Sequence, residues 1–296
     1  EPCCHQGKTG PCTKSLIHSG IKRVIAAMED PNPLVAGKGL AELRSHDIEV
    51  EAGLLKSEAE LLNRGFIKRM SVQMPWVTVK TATSLDGMTA LNNGKSKWIT
   101  SDLARLDVHH LRAKHDAIMT GIGTVKADDP SLNVRLNEDI EFTHPIRVII
   151  DTNLEMPIDA KMLSLTGKTL IFTAQSIANS ELSKIDTCEI VHIDEIQTFE
   201  RSYLSLSSIL SELAKRGVNS VMVEAGATLV GSLFKHQLVD ELITYVAPKL
   251  MGDASKGVIN LGVIESMNDC LSLKFNDIRK VGEDLRIISS VIYSKA

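Results

Sequence analysis

The sequence lacks several things, and each absence removes a class of function. It has no surplus of positive charge: 33 Lys and Arg stand against 37 Asp and Glu, for a net charge of -4. Bulk electrostatic binding of nucleic acid is therefore excluded, although a local basic pocket for one phosphate is not. It has no disulfide framework. The five cysteines fall at positions 3, 4, 12, 188 and 270, three in one short run and two alone. This pattern fits a reducing compartment and predicts a cytoplasmic protein. No apolar run is long enough to span a bilayer, no signal peptide is visible, and no internal repeat or low-complexity tract occurs. The first residue is Glu rather than Met, inside what reads as a motif, so the expectation is that the gene product is longer.

What is present is a chain of 296 residues with 43% apolar content, enough for one large or two ordinary domains. Residues 21–28 form an apolar run of strand length ending at the turn cluster "EDPNP". "KGLAELRSHDI" has helical spacing, with Leu40, Leu43 and Ile48 on one face. "IEVEAG" alternates as a short strand. Ser57 stands three residues before Glu60, a capping-box pattern that predicts a helix over "SEAELLNRGFIKRM". The alternation predicts a small parallel α/β unit over residues 1–72, a linker at "SVQMP", and a second unit over 73–296 that begins in earnest at Trp76.

The second unit reads as a larger α/β domain with a mixed sheet. "WVTVKTATS" alternates and ends at Asp86-Gly87, where Asp86 reads as a turn former. "SDLARLDVHHLRAKH" is an amphipathic helix capped by Ser101 or Asp102, with Leu103, Leu106, Val108 and Leu111 as its apolar side. "AIMTGIGTV" is a buried strand entering a glycine turn. "IRVIID", "KTLIFTA" and "VNSVMVEAG" are further strands, with a helix over "SYLSLSSILSELAKRG" between the last two. "ATLVGSLFKHQL" reads as a helix, and "ELITYVAPKLMG" and "LRIISSVIYS" as late strands of antiparallel type. His109, His110 and His115 read as surface or packing residues.

Two features carry chemistry. "VMVEAGATLVGSL" runs from strand through a glycine turn into a helix, which puts backbone N–H groups where a pyrophosphate would sit. It is neither Gly-x-Gly-x-x-Gly nor a P-loop, so alone it is as compatible with a plain strand–helix turn. Gly121 and Gly123 close a second strand where backbone can approach a cofactor. The other feature is "EPCCHQGKTGPC". Thiolates suit zinc, and zinc-dependent base deaminases combine a His-x-Glu with a Pro-Cys and a second downstream Cys. None of the nine histidines has Glu two residues on, so half of that pattern is missing here. Cys4 and His5 read as loop residues.

"EPCCHQGKTGPC" followed by "DPNPLVAGKGL" resembles the end of the deaminase half of the bifunctional deaminase–reductases of riboflavin biosynthesis. Cys4 stands where that family usually has Ser. The resemblance continues in order through "KTATSLDGMTA", "SKWIT", "LRAKHDAIMTGIGTVKADDPSLNVR", "RVIID", "VEAGATLVGSL" and "VDELITYVAPKLMG". It implies the C-terminal portion of a cytidine-deaminase-like α/β domain over 1–72, followed by a dihydrofolate-reductase-like mixed-sheet domain over 73–296. It implies NADPH contacts at Ala82, Trp98, Thr124, Asp128, Thr152, Gly226, Ala227, Thr228, Leu229, Val230, Gly231 and Ser232. It implies substrate contacts at Lys80, Ser96, Arg112, Leu132, Arg135 and Glu224. Arg112 and Arg135 would hold a phosphate, since guanidinium binds two oxygens at once. Glu224, ending an apolar strand, would meet ring N–H or hydroxyl groups.

The implied reaction is hydride transfer from NADPH to the sugar carbon of a phosphoribosylamino-pyrimidine. No general acid is evident; Lys80, Asp128 or water would serve. Cys3 and Cys12 would be two of three zinc ligands, so this chain is expected to reduce but not to deaminate. The expected partner is a small molecule, not nucleic acid or membrane, and a homo-oligomer is expected. Two rival readings are another pterin- or folate-type reductase of the same fold, and a binding module stapled by zinc at Cys3, Cys4, His5 and Cys12.

Overall fold

The computed structural model describes residues 1–7, 9–136, 142–177, 180–197 and 202–293. The chain divides into two compact units, Glu1–Pro75 and Trp76–Ala296.

The smaller unit contains α1 (Cys12–His18), β1 (Arg23–Ala26), α2 (Lys38–Ser45), β2 (Glu49–Ala52), α3 (Lys56–Leu62) and α4 (Arg64–Val72). β1 and β2 pair in parallel, as alternating strands and helices require. Leu40, Leu43 and Ile48 are all buried. The carboxylate of Glu1 organises this unit. It accepts the backbone N–H groups of Asp30, Gly37 and Gly39, each at 2.9 Å, and of Leu40 at 3.3 Å. Burial would raise the pKa of Glu1, but these four donors outweigh it and hold the group below the usual carboxylate range. Gly39 is required here, because a Cβ would lie 1.9 Å from the carbonyl oxygen of Pro2.

The expected capping box does not form. Leu55, in a left-handed conformation, precedes α3, and no side chain caps it. The helix expected to run on from Ser57 is broken at Asn63, and α4 extends through Ser71 and Val72 into the expected linker. A left-handed Gln73 ends it.

The larger unit begins with β3 (Trp76–Ser84), β4 (Met88–Ala90), α5 (Asp102–Ala113), β5 (Ala117–Gly121), α6 (Ile122–Asp128), β6 (Ile146–Ile150), β7 (Thr169–Thr173) and β8 (Cys188–His192). It continues with β9 (Glu195–Gln197), β10 (Ser202–Leu204), α7 (Leu206–Lys215), β11 (Ser220–Val223), α8 (Ala227–Lys235) and β12 (Glu241–Ala247), and ends with β13 (Lys256–Gly257), β14 (Ser272–Val281) and β15 (Asp284–Ile292). Nine strands form one mixed sheet in the order β14-β15-β12-β3-β11-β5-β6-β7-β8. The neighbours from β12 to β8 are parallel, and β15 and β14 add an antiparallel edge.

Several sequence expectations are corrected. β12 is parallel to β3, and only its pairing with β15 is antiparallel. Ser294, the last residue of the expected final strand, lies outside the described residues. Residues 202–204 form a strand, and α7 starts only after the Ser205 cap, whose Oγ accepts from the Ser208 N–H. α5 rests on Ala104, Val108 and Leu111, which pack with Met222, Ile243 and Tyr245. Leu103 and Leu106 are exposed instead. The contact row is the i, i+4, i+7 set through the small Ala104, which lets the helix lie close to the sheet.

α5 is pinned to the sheet by polar contacts along its length. Ser101, its cap, donates N–H and Oγ–H to Asp284 Oδ2 at 2.8 and 2.6 Å. Asp107 Oδ2 accepts from the Tyr245 hydroxyl at 2.6 Å and from Arg286 Nη1 at 2.8 Å. Arg112, in its last turn, reaches Glu224 beyond β11.

The sheet has a reversal of direction at its centre. From β5 the chain crosses through α6 to β6 on one side. From β11, the neighbour of β5, it crosses through α8 past β3 to β12 on the other. Right-handed crossovers put α6 and α8 on opposite faces, leaving a crevice beyond the carboxyl ends of β5 and β11.

Residues 256–258 form one wall of that crevice, and Asn260 just beyond them is held to α8. The Asn260 N–H donates to the Ala227 carbonyl at 3.1 Å, and a Cβ on Gly231 would lie 2.0 Å from the Asn260 carbonyl oxygen. Gly231→Ala is therefore expected to cost about 1–3 kcal/mol through overpacking against backbone. A urea titration should show the midpoint fall with an unchanged slope; an unshifted midpoint would refute the contact.

Candidate active site

A cleft of about 570 Å³ occupies this crevice. One side is Gly121, Gly123, Thr124, Ala127 and Asp128, at the end of β5 and along α6. The other is Glu224, Ala225, Gly226, Ala227, Thr228 and Leu229, where β11 turns into α8. β3 supplies Lys80, Thr81 and Ala82, and the β4–β13 ribbon with its flanks supplies Thr89, Ala90, Gly94, Ser96, Lys256, Gly257 and Val258. The two glycine turns approach closely: a Cβ on Gly121 would stand 3.6 Å from Leu229 Cδ2. In contrast, nothing lies within 4 Å of a Cβ built on Gly123 or Gly226. The α8 cap, Gly226, has no side-chain partner, so the first N–H groups of a nine-residue helix face this space uncapped.

The electrostatic centre is Glu224. Its Oε1 accepts from Arg112 Nε at 2.6 Å, and its Oε2 accepts from Arg112 Nη2 at 3.1 Å and Lys80 Nζ at 3.3 Å. The three side chains are only 12%, 13% and 17% exposed for Glu224, Arg112 and Lys80. Burial opposes the charge on Glu224, but the two cations outweigh it and hold the carboxyl well below its usual range. In turn Glu224 holds the Arg112 guanidinium charged, more than compensating its burial.

The residues expected from sequence separate into groups. Lys80, Ala82, Ser96, Thr124, Asp128, Glu224 and Gly226 to Leu229 line the cleft. Asp128 also pairs with Lys97 at 3.4 Å. Arg112 does not line it; its guanidinium is committed to Glu224 and to the Asn133 carbonyl, at 2.9 Å. Leu132 is only 3% exposed, and its side chain belongs to the core with Ile118 and Val125. Val230 and Gly231 are buried on the packed side of α8, and Ser232 does not line the cleft. The Thr152 carbonyl accepts from the Ala174 N–H and the Thr173 hydroxyl, both at 3.1 Å, bracing a loop outside the cleft lining. Trp98 is exposed and stacks under the Arg105 guanidinium, 4.2 Å from its ring centroid. Arg135 is exposed on the segment that Arg112 holds, and its backbone N–H donates to His109 Nδ1 at 3.2 Å. His109 is thus more than packing.

Sequence reasoning missed Lys256, whose two-residue strand has no periodicity to read. Register with Ala90 turns both toward the cleft. It also missed Lys97.

In the smaller unit, the Cys12 N–H donates to Cys3 Sγ at 3.4 Å, while the Cys3 carbonyl accepts the Thr13 N–H at 3.2 Å. The Cys3 side chain beside it raises the pKa of the Cys12 thiol. Among the described residues no group of three or more His, Cys, Asp or Glu side chains is placed to hold a metal ion. This counts against a zinc staple at Cys3, Cys4, His5 and Cys12. No helix among the described residues is long and apolar enough to cross a membrane.

A mixed sheet, parallel around a two-sided crevice at its reversal point, with two glycine turns and part of a buried ion cluster in the lining, defines an α/β fold with a cleft of the kind enzymes use. The sequence model of the RibD C-terminal domain matches residues 75–287. The riboflavin biosynthesis protein RibD of Bacillus amyloliquefaciens is 45% identical over 289 residues, covering 97% of this chain and 76% of the relative. The solved structure of Acinetobacter baumannii RibD has a TM-score of 0.89 at 39% identity, covering 99% of this chain and 79% of that one. A diaminohydroxyphosphoribosylaminopyrimidine deaminase/5-amino-6-(5-phosphoribosylamino)uracil reductase from Thermotoga maritima has a TM-score of 0.84 at 30% identity, with coverages of 99% and 78%. The chain belongs to the RibD family of riboflavin-biosynthesis enzymes and carries its reductase domain.

Glu224→Gln would leave two buried cations without their counter-charge. Its expected cost is about 3–5 kcal/mol, read by chemical denaturation. A loss below 1 kcal/mol, on the order of an exposed pair, would contradict the burial of the cluster.

Acid stability provides a second check. Burial, then Arg112 and Arg135, depress the pKa of His109 from 6.5 to about 4. The unfolded chain therefore takes up this proton first, and stability should fall as pH drops from about 6.5 to about 4. Thermal unfolding across that window should show the slope, and His109→Asn should flatten it.

Proposed function

We propose that the cleft reduces 5-amino-6-(5-phosphoribosylamino)uracil with NADPH, giving the ribitylamino product. The observation that carries this reading is the cleft itself, with its two open glycine turns, an uncapped helix start and a cation, Lys256, on the facing wall. That lining fits a dinucleotide, since backbone can approach phosphates at Gly123 and Gly226 without a Cβ in the way. Ala82, Thr124 and Gly226 to Leu229 would hold the cofactor, which supplies the hydride. The larger unit would then be a dihydrofolate-reductase-like domain.

The chain's own groups do the positioning. Glu224 pairs with Lys80 where it lines the cleft, and the Lys80 side chain retains N–H donors beyond the one given to Glu224. Lys80 is therefore the better proton donor or orienting cation for the opening sugar. Asp128 is an acceptor already paired with Lys97. Ser96 and Arg135, on either side of Arg112 in sequence, would contact the substrate phosphate. Arg112 contributes indirectly, by fixing Glu224 and the segment that carries Arg135.

The smaller unit would be part of a zinc deaminase domain, with Cys3 and Cys12 as two thiolate ligands. A catalytic zinc needs a third protein ligand, and the described residues do not provide one. No deamination step is assigned to these residues. A cytoplasmic homo-oligomer acting on small molecules completes the reading.

The test is oxidation of NADPH by this chain with the deaminated substrate. The wild type should turn over. Lys80→Met should lower kcat by about 10²–10⁴-fold while leaving NADPH affinity near normal. Turnover of a pterin or dihydrofolate in place of the phosphorylated substrate would favour the rival reductase reading. Failure to bind NADPH would overturn the proposal.

A further inference from the structure

α5 grips the segment that carries Arg135 from one face. His109 and Arg112 are three residues apart and share that face. Arg112 Nη1 donates to the Asn133 carbonyl at 2.9 Å, and His109 Nδ1 accepts the Arg135 N–H at 3.2 Å. On the other side, Leu132 and Val134 are buried, 3% and 5% exposed. The backbone at Arg135 is thus held from both sides while its side chain stays exposed.

The backbone bond has a chemical consequence for the imidazole. Nδ1 accepts, so in the neutral ring the hydrogen sits on Nε2. Arg135 Nη2 lies 3.4 Å from that Nε2. Both atoms are donors, so they cannot satisfy one another. Among the described residues no carboxylate is paired with the Arg135 guanidinium. Two donors side by side, one of them charged, make a seat for a single anionic oxygen that accepts from both.

We propose that His109 is a phosphate ligand of the substrate site, donating from Nε2 to an oxygen it shares with Arg135. The proposal rests on the reading of Arg135 as the substrate-phosphate contact and adds a second residue to it. Burial and the charges of Arg112 and Arg135 keep the ring neutral near pH 7, which preserves the Nδ1 acceptor and the Nε2 donor together. A protonated ring would put a second hydrogen on Nδ1, against the Arg135 N–H. The surrounding charged groups are Arg112 and Glu224, already paired with each other, and Arg135 itself.

Two substitutions separate holding Arg135 from binding phosphate. His109→Asn keeps an acceptor near the Nδ1 position but has no donor at Nε2. His109→Gln reaches the Nε2 position with an amide donor. The KM for the phosphorylated substrate should rise about tenfold in His109→Asn, the effect of one lost contact to a charged group. It should be largely restored in His109→Gln, with kcat and the KM for NADPH unchanged in both. Calorimetric titration with inorganic phosphate provides a readout without turnover, and it should weaken in His109→Asn and not in His109→Gln.

Equal behaviour of the two variants, in either direction, would overturn the proposal and leave His109 as a backbone acceptor only. Phosphate binding that follows the expected order in a chain that does not reduce the uracil substrate would sustain His109 as a ligand while refuting the reductase substrate assignment. Wild-type phosphate affinity in His109→Asn would refute the ligand role whatever the substrate proves to be.

Discussion

The larger unit depends on a carboxylate that cannot be left alone. Glu224 sits just past the end of a central strand, mostly buried, and is tolerated there because Arg112 and Lys80 reach it from a covering helix and from β3. Each of the three would be costly without the others. Their agreement fixes how α5 lies over the sheet, which donors of Lys80 remain free, and where the segment following α6 can run. The cleft is shaped on one side by this cluster and on the other by backbone alone.

That division suits a cofactor-dependent reduction. In the proposed reading a dinucleotide would be recognised along its length by backbone at two glycine turns, where side chains would obstruct. The reacting end needs fixed charge, provided by groups that are already paired and need no reorganisation when a ligand arrives. Glu224 is held ionised because its neighbouring cations outweigh its burial, and His109 is held neutral because burial and neighbouring cations act together.

Sequence alone revealed the periodic parts. β3 was visible from its alternation, the turn into α8 from its glycine, and the buried runs of β5, β6, β7 and β11 because parallel strands buried on both faces are continuously apolar. The β14 edge strand was not. In "SLKFNDIRKV" the apolar residues Leu273, Phe275 and Ile278 are exposed, and a register shift between Phe275 and Asp277 breaks the alternation. Most cleft residues followed from a family resemblance rather than from spacing. The pairing of Arg112 with Glu224 joins positions 112 residues apart, and no local pattern announces it. For the same reason Arg112 read as a phosphate contact, although its charge is already committed. Gly231 had read as a cofactor contact, and the reason for its missing side chain is Asn260.

α5 is fastened to three different parts of the sheet: Ser101 to Asp284 at its start, Asp107 to Tyr245 and Arg286 in the middle, Arg112 to Glu224 near its end. The helix thus works as a gauge of fixed length. Adding or removing one residue between these fasteners would turn everything beyond it by about 100° and shift it by about 1.5 Å. Substitutions along its exposed side leave the gauge intact, but a change of length does not. Along α5, replacement of residues is therefore compatible with the fold where a change of length is not, and the loops on either side are the places where insertions and deletions fit.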